Sequence, residues 1–204
     1  MTRTSLMTAF LLPVGAISLA GCGVNSIPTA EEEAKAKWAD VQAAYQRRAN
    51  LIPNLVATVK GAAASEERIL VGVTEARANA TRITVSPDQL TDPAAMQRYA
   101  EAQNRLSAAI IPLQRLQEAY PTLQSQGNFR TLMDQLEGTE NRINIAIRDY
   151  NEAVQAYNTE IRTFPSVIGA RIIYGSDPMV PYEAVTPGAE VAPTVNFDAN
   201  TSTP

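Results

Sequence analysis

The sequence predicts an all-α fold, an elongated antiparallel bundle of long helices, on three observations. Apolar residues recur three and four apart over long stretches, and a capping side chain followed by proline appears twice where a helix would restart. Between residues 30 and 164 no convincing run alternates apolar and polar side chains as a half-buried strand does. The composition suits one domain with a real core: 204 residues, 45% apolar, and too few glycines and prolines for a wholly disordered chain.

The chain starts with an address. Arg3 followed by the uncharged, mostly apolar stretch Leu6 to Leu19 reads as a secretory signal peptide over residues 1–21. Pro13 interrupts that stretch, which is also short of the roughly 20 apolar residues a bilayer-spanning helix needs. Leu19-Ala20-Gly21-Cys22 resembles the bacterial lipobox, so Cys22 is the expected lipidation site, carrying palmitate-type acyl chains. Two or three such chains hold a protein on a membrane where one is marginal. Gly23 stands where an aspartate would retain a lipoprotein at the inner membrane, which by the same resemblance favours the outer membrane, facing the periplasm, in a two-membrane cell. Loss of the leader removes one of 17 basic residues and leaves 16 against 21 acidic, a net charge of −5. That sign argues against nucleic acid or a polybasic lipid-binding surface.

The first helix is expected from Glu31 to about Ile83. Trp38, Val41, Tyr45, Arg48, Ile52, Leu55, Val59, Ala62, Glu66, Ile69, Val73, Ala76, Ala80 and Ile83 form one seam of alternating three and four spacing, about 75 Å long at 1.5 Å per residue. Pro53 lies inside it and predicts a kink. Ser86-Pro87 and Asp92-Pro93 mark a turn and a restart, and a second helix over about Pro93 to Ala119 buries Tyr99, Leu106, Ile110 and Leu113, with Pro112 bending it. The third helix carries Phe129, Met133, Leu136, Glu140, Ile143, Ile147, Tyr150, Val154, Tyr157, Ile161 and Phe164 on a strict heptad until Pro165. Val167 to Tyr174 is a short helix or an arm returning to the bundle. The stretch from Thr186 is rich in Pro, Ala, Thr and Asn and is expected to be disordered. The expected organisation is therefore a signal peptide over 1–21, a linker from the lipidated cysteine over 22–30, a bundle over 31–175 and an extended or disordered tail over 176–204.

Composition removes much chemistry. With no histidine and one cysteine there is no Ser-His or Cys-His pair, no histidine or thiolate metal site and no disulfide, so no metal or cofactor is expected. Polar residues inside the seams carry what remains. With helices running up, down and up, the first and third are parallel, and Arg48 and Glu140 fall at similar heights and pair across the core. Together with Glu66 they form a register-setting polar core, because a slipped packing strands a charge among apolar side chains. Glu66 and Glu67 form an acidic pair, but no second catalytic group stands at a defined distance. Asn144, Asn151 and Asn158 recur at heptad spacing beside the apolar seam, the last two each preceded by a tyrosine, Tyr150 and Tyr157. They line a polar groove or solvate an edge; with Arg47 and Asn54 they make the candidate interaction surface.

Several segments in order resemble the LemA family: RRANLIPNLV at 47–56, EERILVGVTEAR at 66–77, EAYPTLQ at 118–124, LEGTENRINIAIRDYNEAVQAYNTEIRTFP at 136–165 and APTVNF at 192–197. The resemblance implies a bundle of long antiparallel helices anchored by its N-terminus to a bacterial membrane, with no established enzymatic activity or cofactor. A lipobox where the commoner family pattern has a transmembrane helix is a departure. The resulting expectation is a non-enzymatic envelope lipoprotein acting as an interaction or scaffold module, with an unidentified envelope protein or a second copy as partner. The competing reading is an envelope enzyme or enzyme subunit that uses paired carboxylates on peptidoglycan or peptides, and it requires two acids about 5 to 10 Å apart in one cleft.

Overall fold

The computed structural model describes residues 25–121, 123 and 127–183. The signal peptide, Cys22 and the tail beyond residue 183 lie outside the described residues. Among those described, the structure is all-helical and without strands: α1 (Ser26–Ala62), α2 (Glu67–Arg82), α3 (Pro93–Ala119), α4 (Gly127–Glu160) and the short α5 (Ser166–Gly169), which runs on as a wider π-helical turn over Ala170–Tyr174. α1 begins at Ser26, so the expected linker over 22–30 is already helical in its second half. It continues through Pro53, and α3 through Pro112.

The single first rod is a hairpin. Ala63 leaves helical geometry at φ −137°, ψ 57°, a 3-10 turn spans Ala64–Glu66, and α2 runs back along α1. Arg77 Nε donates to the Ala49 carbonyl at 2.7 Å, and these residues stand equally far from Ala63 along the chain. The reversal falls in the run of small residues Gly61-Ala62-Ala63-Ala64. The next turn is the expected one: the Ser86 N–H donates to Gln89 Oε1 at 3.0 Å, and Asp92 caps α3 by accepting from the Ala94 N–H at 2.9 Å.

With one extra reversal, α3 runs parallel to α1, and α4 runs antiparallel to it. Trp38 lies against Tyr150 (ring centroids 5.1 Å apart) and Ser26 reaches Glu160 at the far end of α4. The core has two apolar halves. One is aromatic and contains Trp38, Tyr45, Tyr99, Tyr150, Tyr157 and Tyr182; the other is aliphatic and contains Ile52, Leu55, Val59, Leu106, Leu113 and Leu136. Burying each such large side chain stabilises the fold by about 1.5–3 kcal/mol.

Candidate functional site

Between the two halves lies one polar layer. On α1 the apolar run passes from Tyr45 to Ile52 across Arg48, on α3 from Ala100 to Leu106 across Gln103, and on α4 from Leu136 to Ile143 across Glu140. Arg48 is 1% exposed. Its Nη1 donates to Ser107 Oγ (2.7 Å) and Glu140 Oε1 (3.0 Å), and its Nη2 donates to the Gln103 carbonyl and Oε1, both at 3.0 Å. Gln103 Nε2 reaches the Ala80 carbonyl at 3.3 Å, so the layer joins all four long helices. The guanidinium also lies over the Tyr45 ring, 4.9 Å from its centroid, and among the described residues Arg48 Nε is the one buried side-chain nitrogen or oxygen without a hydrogen-bond partner.

Arg48 and Glu140 therefore meet, although the expected parallel helices are antiparallel. Two errors cancel: the unseen hairpin adds one reversal, and heights counted from the wrong ends still coincide. Glu66 does not join them. It sits in the hairpin turn at the opposite end of the aliphatic half, where its Oε1 accepts from the Tyr120 hydroxyl at 2.9 Å.

The tyrosine–asparagine flank of α4 is occupied by the chain itself. After the π-helical turn, Gly175 adopts φ +58°, a conformation that favours glycine, and the chain returns along α4 as an arm over residues 175–183. Asn158 accepts from the Met179 N–H at 2.9 Å and donates to its carbonyl at 2.8 Å; Asn151 does the same for Tyr182, at 2.7 and 3.0 Å. Seven helical residues rise about 10.5 Å, and three extended residues cover nearly the same distance, so an asparagine each heptad meets every third arm residue. Tyr150 donates to the Val180 carbonyl (2.9 Å), Tyr157 donates to the Asp177 carbonyl (3.2 Å), and the Val180 N–H reaches the Leu90 carbonyl (2.8 Å).

Met179 and Tyr182 point inward, 5% and 3% exposed. The Tyr182 hydroxyl shares a 2.7 Å hydrogen bond with Tyr45, and its ring lies near Trp38, Tyr45 and Tyr99. Burial, the largest cause in each case, holds the phenols of Tyr45, Tyr99, Tyr150 and Tyr182 above their ordinary value of 10. They are neutral hydrogen-bonding groups below pH 10.

The residues expected to form a surface thus divide. Tyr150, Asn151, Tyr157 and Asn158 come together, but around the chain's own arm, with both tyrosines buried. Arg47, Asn54 and Asn144 are exposed. Gln103, Ser107, Met179 and Tyr182 escaped the sequence reading. The first two are ordinary polar residues on a helix, but the spacing of Met179 and Tyr182 matched to the Tyr-Asn repeat was a usable signal. Chemically, the arrangement holds the backbone of an extended chain. Among the described residues no group of His, Cys, Asp or Glu is arranged to hold a metal ion, and no helix is long and apolar enough to cross a membrane.

Against known proteins, the profile of the LemA family matches residues 37–197. Two magnetosome proteins of Paramagnetospirillum magneticum, MamQ 1 and MamQ 2, are each 29% identical over 157 residues, covering 69% of this chain and 58% of theirs. Magnetosome protein MamQ of Magnetospirillum gryphiswaldense is 27% identical over the same shares. The chain spans little more than half the length of these curated relatives.

Proposed function

The chain belongs to the LemA family, and on that premise we propose that it is a non-enzymatic, lipid-anchored helical bundle of the bacterial cell envelope that acts as a scaffold or protein-interaction module. One observation carries the reading: the lipobox cysteine stands only a few residues before a helix that is tied into the bundle. Only Gly23, Val24 and Asn25 separate Cys22 from α1, and the first helical residue is tied to Glu160 at the end of α4. Acyl chains on Cys22 then fix which end of the bundle stands at the bilayer, on the extracytoplasmic side. Other polar groups serve the architecture. Arg48 joins the long helices and Asn151 and Asn158 hold the arm, which leaves exposed Arg47, Asn54 and Asn144 to meet an envelope partner.

Fractionation of cells expressing the full chain or its C22S variant tests the anchor. The reading requires the unaltered chain in membranes, acylated, and the variant without acyl label. An unaltered chain that incorporates no palmitate overturns it. Photo-cross-linkers at positions 47, 54 and 144 test the scaffold role: a discrete adduct at one of them, absent at buried Trp38, is expected, and no adduct at any exposed position argues for an inert spacer.

A further inference from the structure

Among the described residues, five of the eight exposed large apolar side chains fall within one stretch of eleven residues. They are Phe164 (79% exposed), Ile168 (52%), Ile172 (79%), Ile173 (63%) and Tyr174 (42%), whereas Val71, Ile111 and Ile145 stand singly on α2, α3 and α4. Isolated apolar side chains on a surface need no explanation; a cluster within one short segment does. α5 and its π-helical extension have a buried side that fixes their orientation, with Ser166, Gly169 and Ala170 facing the bundle. The isoleucines are thereby held outward, and the fold gives them nothing to cover.

We propose that this tip is a second membrane contact, in which Phe164, Ile168, Ile172, Ile173 and Tyr174 enter the interfacial region of a lipid bilayer and Arg162 and Arg171 meet its headgroups. The proposal rests on the membrane-anchored reading above. Position argues for lipid as the occupant. Glu160 accepts from both Ser26, the first residue of α1, and Ser166, the first of α5, so the apolar turn and the chain's entry into the bundle share one end. Three residues between Cys22 and Ser26 span at most about 14 Å of extended chain. Acyl chains on Cys22 therefore hold this end of the bundle, and not the opposite one, next to the headgroups.

The chemistry agrees. Aliphatic side chains beside an aromatic ring and a tyrosine suit the boundary between acyl chains and water. Arg162 and Arg171 are exposed and form no ion pair among the described residues, in a protein that is acidic overall. The carboxylate at the tip, Glu160, is engaged by two hydroxyls, and Asp177 lies beyond Gly175 on the returning arm.

The test uses the full chain with its single cysteine moved. C22S/I172C and C22S/I111C, each labelled with the environment-sensitive fluorophore NBD, are mixed with phosphatidylethanolamine vesicles containing phosphatidylglycerol. The expected result is a blue shift and severalfold brightening at position 172, quenched by nitroxides in the acyl chains, with position 111 unchanged. Adding F164S and I173S should lower the partition coefficient by about a hundredfold, and folding should be unaffected because both side chains face water. A chain that sediments with vesicles while position 172 stays aqueous is held by its leader alone. That result overturns the tip contact and leaves the anchored reading intact. Equal responses at both positions, or no binding, also overturn it, whereas failure of the anchor itself appears separately as unacylated native protein.

Discussion

N158A removes one of the two asparagines that hold the arm. Asn158 makes two hydrogen bonds to Met179, at 2.8 and 2.9 Å, and both backbone groups lose their protein partner on truncation. At about 1 kcal/mol net for each bond, the arm is weakened by about 2 kcal/mol, or roughly thirtyfold in its opening equilibrium. Native-state hydrogen exchange reads that number directly, because the Met179 and Tyr182 amides donate to asparagine oxygens. An arm this short opens as a unit, so N158A should speed exchange at both amides by a similar factor, while amides around Leu136 in the aliphatic half stay unchanged. N158D should do at least as much damage: it keeps an acceptor, loses the donor and sets a carboxylate beside the Met179 carbonyl. Fast exchange at both amides in the unaltered protein, or no acceleration in N158A, would refute a bracketed arm.

Other consequences follow from the polar layer, the buried phenols and the tip. R48A should cost about 3–5 kcal/mol in urea unfolding, because Gln103 and Ser107 lose their donor inside the core, and E140A about 1–3 kcal/mol, because it leaves the buried Arg48 guanidinium without its counter-charge while Gln103 and Ser107 still accept from it. The exchange R48E with E140R should not rescue the first change, because a carboxylate at position 48 faces the Gln103 carbonyl; full recovery would contradict the layer described. Burial raises the phenols of Tyr45, Tyr99, Tyr150 and Tyr182, so their contribution is fully present below pH 10, where the unfolded chain's tyrosines are also neutral, and is lost as pH rises through the folded values. Each such tyrosine removes up to about 1.4 kcal/mol per pH unit above 10, and tyrosinate absorbance should appear together with loss of helical circular dichroism; ionisation of these four in a folded chain would contradict their burial. Hydrogen bonds from Ser166 and Ser26 lower the Glu160 carboxyl below its ordinary value, so the tie at the tip holds above the usual carboxylate range and is lost as pH falls through the depressed value. E160Q should abolish that acid dependence of amide exchange in the first turn of α1, and an unchanged acid profile would argue against the tie.

Helix type and much of the seam were legible in the sequence, because apolar spacing reports which face is buried. α3 runs over the predicted Pro93–Ala119, and α4 nearly coincides with its heptads. Spacing does not report direction. The seam through Leu55, Val59, Ile69 and Val73 keeps its phase across Ala63 because both halves of the hairpin bury an apolar face, so the reversal leaves no mark except a run of small residues. Arg48 stood out as a charge within a seam, but its bonds to Gln103 and Ser107 depend on where α3 lies and could not be read from α1. The asparagine ladder was visible in its own right, whereas the three-residue step from Met179 to Tyr182 has meaning only when set against the seven-residue step from Asn151 to Asn158, because a nine-residue extended arm carries too short a pattern to stand out by itself.

The proposal stands on the anchor, and intact mass of the protein extracted from membranes tests it most directly. The account predicts a polypeptide that begins at Cys22 and carries the added mass of a diacylglyceryl group. An unmodified chain that retains residues 1–21, recovered from the soluble fraction, would contradict it.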